Sequence, residues 1–296
     1  MERKKTVLIT GCTPGGIGYA LCNEFLVKGF HVIATARRPE VVQDLRDSGM
    51  TVLPLDVTSA NSIAACKKEV QELTGGRLDI LVNNAGLSYT VPATDIDMDE
   101  VRNIFETNVF GVMAIVQAFS PLLIEARGLI IMISSVASVT PLVFGPIYCA
   151  TKGALNSYSR TLRQELRPFG VRVLVSITGT VKSQVTKLHR SLPSESIYMP
   201  IKDAYDRRLK FSQTNASMET CDFARKLVGE ALKGEGWLWG WIGASKKWLW
   251  AGGMTTQIWL ARLLFGEWLV DMLSYSRFDL DKLEAIVREK DRAKID

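Results

Sequence analysis

Tyr148 and Lys152 stand four positions apart in Tyr148-Cys149-Ala150-Thr151-Lys152, one turn of a helix, so the phenol and the ammonium share a face. A free phenol has a pKa of about 10 and keeps its proton at neutral pH. A nearby cation favours the phenolate, and lowering the pKa by roughly three units corresponds to about 4 kcal/mol. A phenol tuned in this way can give a proton to a carbonyl oxygen or take one from an alcohol. Ser135, thirteen residues before Tyr148, carries a hydroxyl suited to bonding the same oxygen and stabilising the charge that develops on it.

A second set of residues suits a dinucleotide. In Thr10-Gly11-Cys12-Thr13-Pro14-Gly15-Gly16-Ile17-Gly18 the glycines let the backbone turn sharply and approach a pyrophosphate, whose charge meets the amides and dipole of the helix that follows. At the end of the second strand, where an acidic residue would select NAD, the chain has Ala36-Arg37-Arg38. Two guanidinium groups hold a 2′-phosphate by charge-assisted bonds, so the expected cofactor is NADPH/NADP+. Asp56 and Val57 are placed to position the adenine. Asn83-Asn84-Ala85-Gly86 sets small and amide residues where the cofactor would pass.

These residues need a scaffold, and the first 180 positions supply its pattern: short β-branched runs alternating with amphipathic stretches. Strands are expected at 6–10, 31–36, 50–55, 79–82, 129–134 and 171–177, with helices between them, the first over 18–28 and ended by Gly29. Six strands joined by right-handed crossovers predict an α/β, doubly wound parallel sheet. From 184 to 215 the pattern loosens into a long loop or lid, before a helix over 217–233.

Composition narrows the alternatives. The 296 residues are 47% hydrophobic and 23% charged, which supports a large core and excludes disorder. A net charge of +5 without a basic stripe gives no reason to expect nucleic acid. Five scattered cysteines without a CxxC, and two histidines, His31 and His189, argue against a metal site or a disulfide framework and for a reducing compartment. The N-terminus runs straight into a strand, so the chain is not expected to be secreted.

Taken together, the glycine turn, Asn83-Asn84-Ala85-Gly86, Ser135 and the Tyr148/Lys152 pair resemble the short-chain dehydrogenase/reductase family across roughly residues 5 to 235. The resemblance implies a Rossmann-type catalytic domain over 1–235 and a Trp-rich hydrophobic extension over 236–296. It implies a ketone/secondary alcohol oxidoreductase, Lys152 also binding the nicotinamide ribose, Asn108 holding a water in a proton relay to that lysine, and a homo-oligomer. Tyr148 and Lys152 therefore count among both the catalytic and the cofactor-binding residues. The chain departs from the family pattern twice. Four residues rather than three separate Gly11 from Gly16-Ile17-Gly18, leaving open whether Gly15 or Gly16 faces the pyrophosphate. After the sixth strand Thr178-Gly179-Thr180-Val181-Lys182-Ser183 lacks the usual proline, with Val181 and Ser183 left to meet the cofactor.

All seven tryptophans, from Trp237 to Trp268, fall in the last quarter of the chain. Ile177-Thr178-Gly179, Ser196-Ile197-Tyr198 and this tail resemble, more narrowly, fungal NADPH-dependent 1-acyldihydroxyacetone-phosphate reductases. That implies a hydrophobic, lipid-like ketone and a place on the cytoplasmic side of the endoplasmic reticulum or a lipid droplet, or in the cytoplasm. The same subgroup also serves terpenoid, meroterpenoid and polyketide biosynthesis. Only fourteen uncharged residues separate Lys247 from Arg262, short of the roughly 20 that span a bilayer, so surface association is expected rather than insertion. Packing on the catalytic domain, roofing the substrate pocket or forming an oligomer interface are the alternatives for the same residues.

Overall fold

The computed structural model describes residues 3–184, 187–189, 191–234 and 245–294. Trp237, Trp239, Trp241 and the expected domain boundary at 235/236 lie outside the described residues. The chain begins with β1 (Thr6–Ile9), α1 (Ile17–Val27), β2 (His31–Ala36), α2 (Gln43–Asp47), β3 (Thr51–Pro54), α3 (Ala60–Thr74) and β4 (Ile80–Asn83). It continues with β5 (Ser88–Thr90), α4 (Met98–Phe105), α5 (Gly111–Ala126), β6 (Leu129–Ile133), α6 (Pro146–Leu166) and β7 (Arg172–Thr178). The remainder holds β8 (Val181–Lys182), β9 (Lys187–His189), α7 (Lys202–Thr214), β10 (Met218–Glu219), α8 (Thr220–Ala231), β11 (Trp248–Ala251), α9 (Thr255–Phe265), α10 (Trp268–Arg277) and α11 (Leu280–Arg292).

Among the described residues, seven parallel strands form the main sheet in the order β11-β7-β6-β4-β1-β2-β3. Side chains alternate along each strand, and both faces are buried: Val7 and Ile9 enter one apolar layer while Leu8 enters the other. Phe25 of α1 and Phe223 and Leu227 of α8 close the first layer. Ile63 of α3, Phe119 of α5 and Leu155 and Leu162 of α6 close the second. The chain leaves β1 toward β2 on one side and is flanked by β4 on the other, so the strand order reverses beside β1. In doubly wound sheets a ligand crevice opens at the carboxyl ends of the strands at such a point.

The six expected strands are present, and the sheet has a seventh, β11, which lies within the stretch read as a Trp-rich extension. β11 pairs in register with β7, Trp248 opposite Val175 and Ala251 opposite Thr178. Leu249 and Ala251 enter one core layer, and Trp248 and Trp250 pack on the other. The guanidinium carbons of Arg163 and Arg160 stand 5.2 and 5.8 Å from the centre of the Trp248 ring. These two tryptophans are therefore sheet residues, with the period of two that a strand requires. The expected lid also contains more structure than a loop, because α7 occupies 202–214 and buries Ala204, Tyr205 and Arg208.

The helical run Met98–Ala126 is the one among the described residues long and apolar enough to cross a membrane. Its apolar side is core, with Ile115 and Phe119 fully buried. A π-helical turn over Glu106–Phe110 interrupts it and carries Asn108.

Candidate active site

A cavity of about 520 Å³ opens at the carboxyl ends of the strands. At the turn after β1 it is lined by Gly11, Thr13, Gly16 and Ile17. Gly11 has φ +72°, and a Cβ there would sit 2.9 Å from the Cα of Ala85, so only glycine keeps the strand-to-helix turn this close to the loop after β4. The two middle glycines are placed differently. Gly16 caps α1 and lines the cavity, whereas Gly15 takes the left-handed turn at φ +71° and accepts a hydrogen bond from the Gln184 amide at 3.1 Å. The extra residue is thus absorbed on the outside of the turn.

Arg37 after β2 and Asp56 and Val57 after β3 line the cavity, as do Ala85 and Gly86 after β4. Asp56 accepts from the amide and the hydroxyl of Thr58, and these bonds hold its carboxyl below the usual carboxylate range. Val181 and Ser183 line the far side. Four expected site residues do not line the cavity. Arg38 is exposed beside it. Gly18 is buried behind the turn against Asn84, whose Nδ2 donates to the carbonyls of Thr10 and Gly11 at 2.8 and 2.9 Å. Asn83 is the last residue of β4 and buries its side chain between strands, its Nδ2 3.4 Å from the sulfur of Met132 and its Oδ1 without a partner. Asn84, one position on and so on the other face of the chain, lines the cavity instead.

Asn108 is the fourth, and its side-chain amide is bound within the protein. Its Oδ1 accepts from the Leu87 amide at 2.8 Å, and its Nδ2 donates to the Leu87 carbonyl at 2.9 Å and to Thr151 Oγ1 at 3.2 Å. The amide is fully engaged, 1% exposed, and acts as a brace between the Gly86 loop and α6.

Ser135, Tyr148 and Lys152 converge in the cavity. Ser135 follows β6, and its loop is tied down by residues the motif reading passed over. Ser134 Oγ donates to Asn156 Oδ1 at 2.7 Å, Asn156 Nδ2 donates to Ser138 Oγ at 2.7 Å, and Ser138 Oγ donates to the Ser135 carbonyl. Asn156 lies one further helical turn beyond Lys152, a spacing that makes it findable in the sequence. Tyr148 sits in the first turns of α6, which Pro146 opens. Burial pushes its phenol above the usual value, while its hydrogen bond with Ser135 pulls the other way. The Lys152 ammonium lies 5.8 Å from the centre of the Tyr148 ring and donates to the Ile133 carbonyl at 2.9 Å. Burial brings its pKa down to about 8.

The rim of the cavity away from the sheet comes from α7 and the C-terminal helices, including Phe211, Met254, Ile258, Ala261, Leu273 and Phe278. The tail therefore roofs the site with apolar side chains.

Comparison with known proteins agrees with this geometry. The short chain dehydrogenase family model matches residues 5–192. The chain belongs to the short-chain dehydrogenase family. It is 47% identical over 238 residues to the short-chain dehydrogenase PC-15 of Penicillium crustosum, an alignment covering 80% of this chain and 87% of that one. It is 42% identical over 206 residues to the NADPH-dependent 1-acyldihydroxyacetone phosphate reductase of Schizosaccharomyces pombe, covering 68% and 70% of the two chains. A short-chain dehydrogenase from Streptomyces avermitilis, 25% identical, superposes with a TM-score of 0.76 over 98% of this chain and 99% of that one. This short-chain dehydrogenase is an oxidoreductase, and its serine, tyrosine and lysine stand where proton transfer to a carbonyl or alcohol oxygen can be done.

Proposed function

We propose that this short-chain dehydrogenase uses NADPH to interconvert a ketone and a secondary alcohol on a hydrophobic, lipid-like substrate, with 1-acyldihydroxyacetone phosphate the leading candidate. The observation that carries the reading is the meeting, in one cavity, of Ser135, Tyr148 and Lys152 with the apolar roof from α9 and α10. Gly11, Thr13, Gly16 and Ile17 would hold the pyrophosphate, and Arg37 the 2′-phosphate. Gly86 and Lys152 flank the path to the nicotinamide. NADPH bound there supplies the hydride. Tyr148 holds the proton that the substrate oxygen receives, Ser135 holds that oxygen and stabilises its negative charge, and the Lys152 ammonium lowers the cost of the phenolate left behind. The acyldihydroxyacetone phosphate relative supports the choice of a lipid-like ketone.

The outer surface of the roof supports a lipid-surface location. Leu263, Leu264 and Trp268 are 63%, 62% and 66% exposed, on helices whose inner side chains face the cavity. Apolar and tryptophan side chains beside Arg262 suit the headgroup boundary of a bilayer. Deleting the tail would also remove β11 from the sheet, so the test is Leu263→Glu with Trp268→Glu. The double variant should no longer co-sediment with anionic vesicles yet should keep NADPH turnover; undiminished co-sedimentation counts against a lipid-surface location.

The activity itself is tested with purified protein, NADPH and a panel that sets acyldihydroxyacetone phosphates against polycyclic ketones. NADPH consumption with the acyl phosphate is the expected result. Turnover confined to polycyclic ketones would favour a biosynthetic role, and turnover of no ketone would end the proposal.

A further inference from the structure

Arg208 is 4% exposed, on α7, and lines the substrate side of the cavity. A guanidinium has five N–H donors. Here Nε donates to the Val143 carbonyl at 3.2 Å, and no carboxylate among the described residues pairs with the group. The groups whose ionisation would act on it are Cys149, Tyr148 and Tyr205, and burial pushes the Cys149 thiol and the Tyr148 phenol above their usual values. Burial pulls the guanidinium down to about 10, which leaves it charged at neutral pH.

Its surroundings make the site more positive. A Cβ on Gly145 would lie 3.5 Å from Arg208 Nη2, so the terminal nitrogen packs against the N-cap of α6, a helix of 21 residues whose dipole is positive at that end. A cation at a helix N-terminus is the wrong sign for a self-contained structural pair. Arg277 lines the same side of the cavity and stacks 4.7 Å from the centre of the Phe211 ring. The described acidic residue of the cavity lining, Asp56, follows β3, whereas Arg208 is on α7. An uncompensated buried charge is costly unless a partner arrives.

We propose that Arg208, backed by the α6 N-terminus, is a receptor for an oxyanion on the substrate, a phosphate or carboxylate carried by the same hydrophobic molecule that presents the ketone. This rests on the proposed function only in taking the cavity as the substrate site. The anion is held on the Tyr148 side of the roof, and Arg208 thereby selects acidic amphiphiles over neutral ones of the same chain length.

The test measures binding of octyl phosphate, octanoate and octanol to the NADP+-saturated protein by calorimetry. Saturation keeps the phosphate probe out of the cofactor site. At least one anion should bind about tenfold or more tightly than octanol. That preference should vanish in Arg208→Gln and be partly kept in Arg208→Lys, with NADP+ affinity at the wild-type value as proof of folding. Should Arg208→Gln fail to bind NADP+, the wild-type preference and Arg208→Lys carry the test. A stronger response to octyl phosphate identifies a phosphomonoester, and to octanoate a carboxylic acid. No preference in the wild type, or one that survives in Arg208→Gln, would overturn the proposal while leaving ketone reduction intact. An equal loss for all three probes assigns Arg208 to shaping the cavity and overturns it too.

Discussion

Lys152 reaches Tyr148 from one helical turn away, its ammonium 5.8 Å from the ring centre, while its hydrogen bond goes to the Ile133 carbonyl of β6. The cation is thus anchored to the sheet and aimed by it. Its position does not depend on the phenol, so a change at one residue can be read without displacing the other.

Tyr148→Phe removes the proton donor and leaves the anchored lysine in place. NADPH oxidation should fall by about 10²- to 10⁴-fold, with NADPH affinity within about twofold of wild type. Ser135→Ala should cost about 10²-fold in kcat. Steady-state kinetics beside a cofactor titration checks both, and turnover persisting in the phenylalanine variant would refute the assigned chemistry.

The pH dependence follows from burial. Because the Tyr148 phenol is pushed up, it stays protonated at neutral pH, and ketone reduction should hold level there and decline at alkaline pH. Alcohol oxidation should rise over the same range. Lys152 has a second, thermodynamic signature. Its folded pKa of about 8 lies below the unfolded value of 10.5, so between those limits the unfolded chain binds the extra proton and stability increases with pH. Below about 8 the native state carries the full cost of the buried charge. Lys152→Met should therefore raise the stability of the cofactor-free protein at pH 7 by about 2 kcal/mol, net of about 1 kcal/mol for the lost bond to Ile133, while abolishing activity. The gain should shrink toward pH 10, which thermal melts across pH will show.

Cofactor choice should divide between two adjacent arginines. Arg37 lines the cavity and Arg38 does not. Arg37→Ala should raise the KM for NADPH about 10- to 100-fold without raising that for NADH. Arg38→Ala should move either value by less than about threefold.

The seventh strand makes a prediction about stability that a peripheral tail would not. Leu249 is 2% exposed in the sheet, so Leu249→Ala should destabilise the whole domain by about 2–4 kcal/mol in denaturant titrations. Leu263→Ala, on the exposed side of α9, should change stability by less than about 0.5 kcal/mol.

Much of the site was legible because its signals are local. Tyr148, Lys152 and Asn156 recur at helical spacing, the strands are β-branched runs with turns between them, and the glycine turn runs from the end of β1 into the start of α1. The order of the strands and the depth of burial around those residues are set by packing between distant segments. The Asn83-Asn84-Ala85-Gly86 segment also put Asn83 among the site residues, since sequence alone does not show which of two neighbouring amides faces into the sheet and which into the cavity. Trp248 to Ala251 read as greasy tail because tryptophan suits a lipid boundary as well as a strand; only pairing with β7 distinguishes the two. Arg208 carries no motif and stands 60 positions after Tyr148, and its place comes from a fold that buries it beside a helix N-terminus with no carboxylate paired to it among the described residues. Spacing along one element is written in the chain, whereas the pairing of a charge is decided by what the rest of the fold leaves next to it.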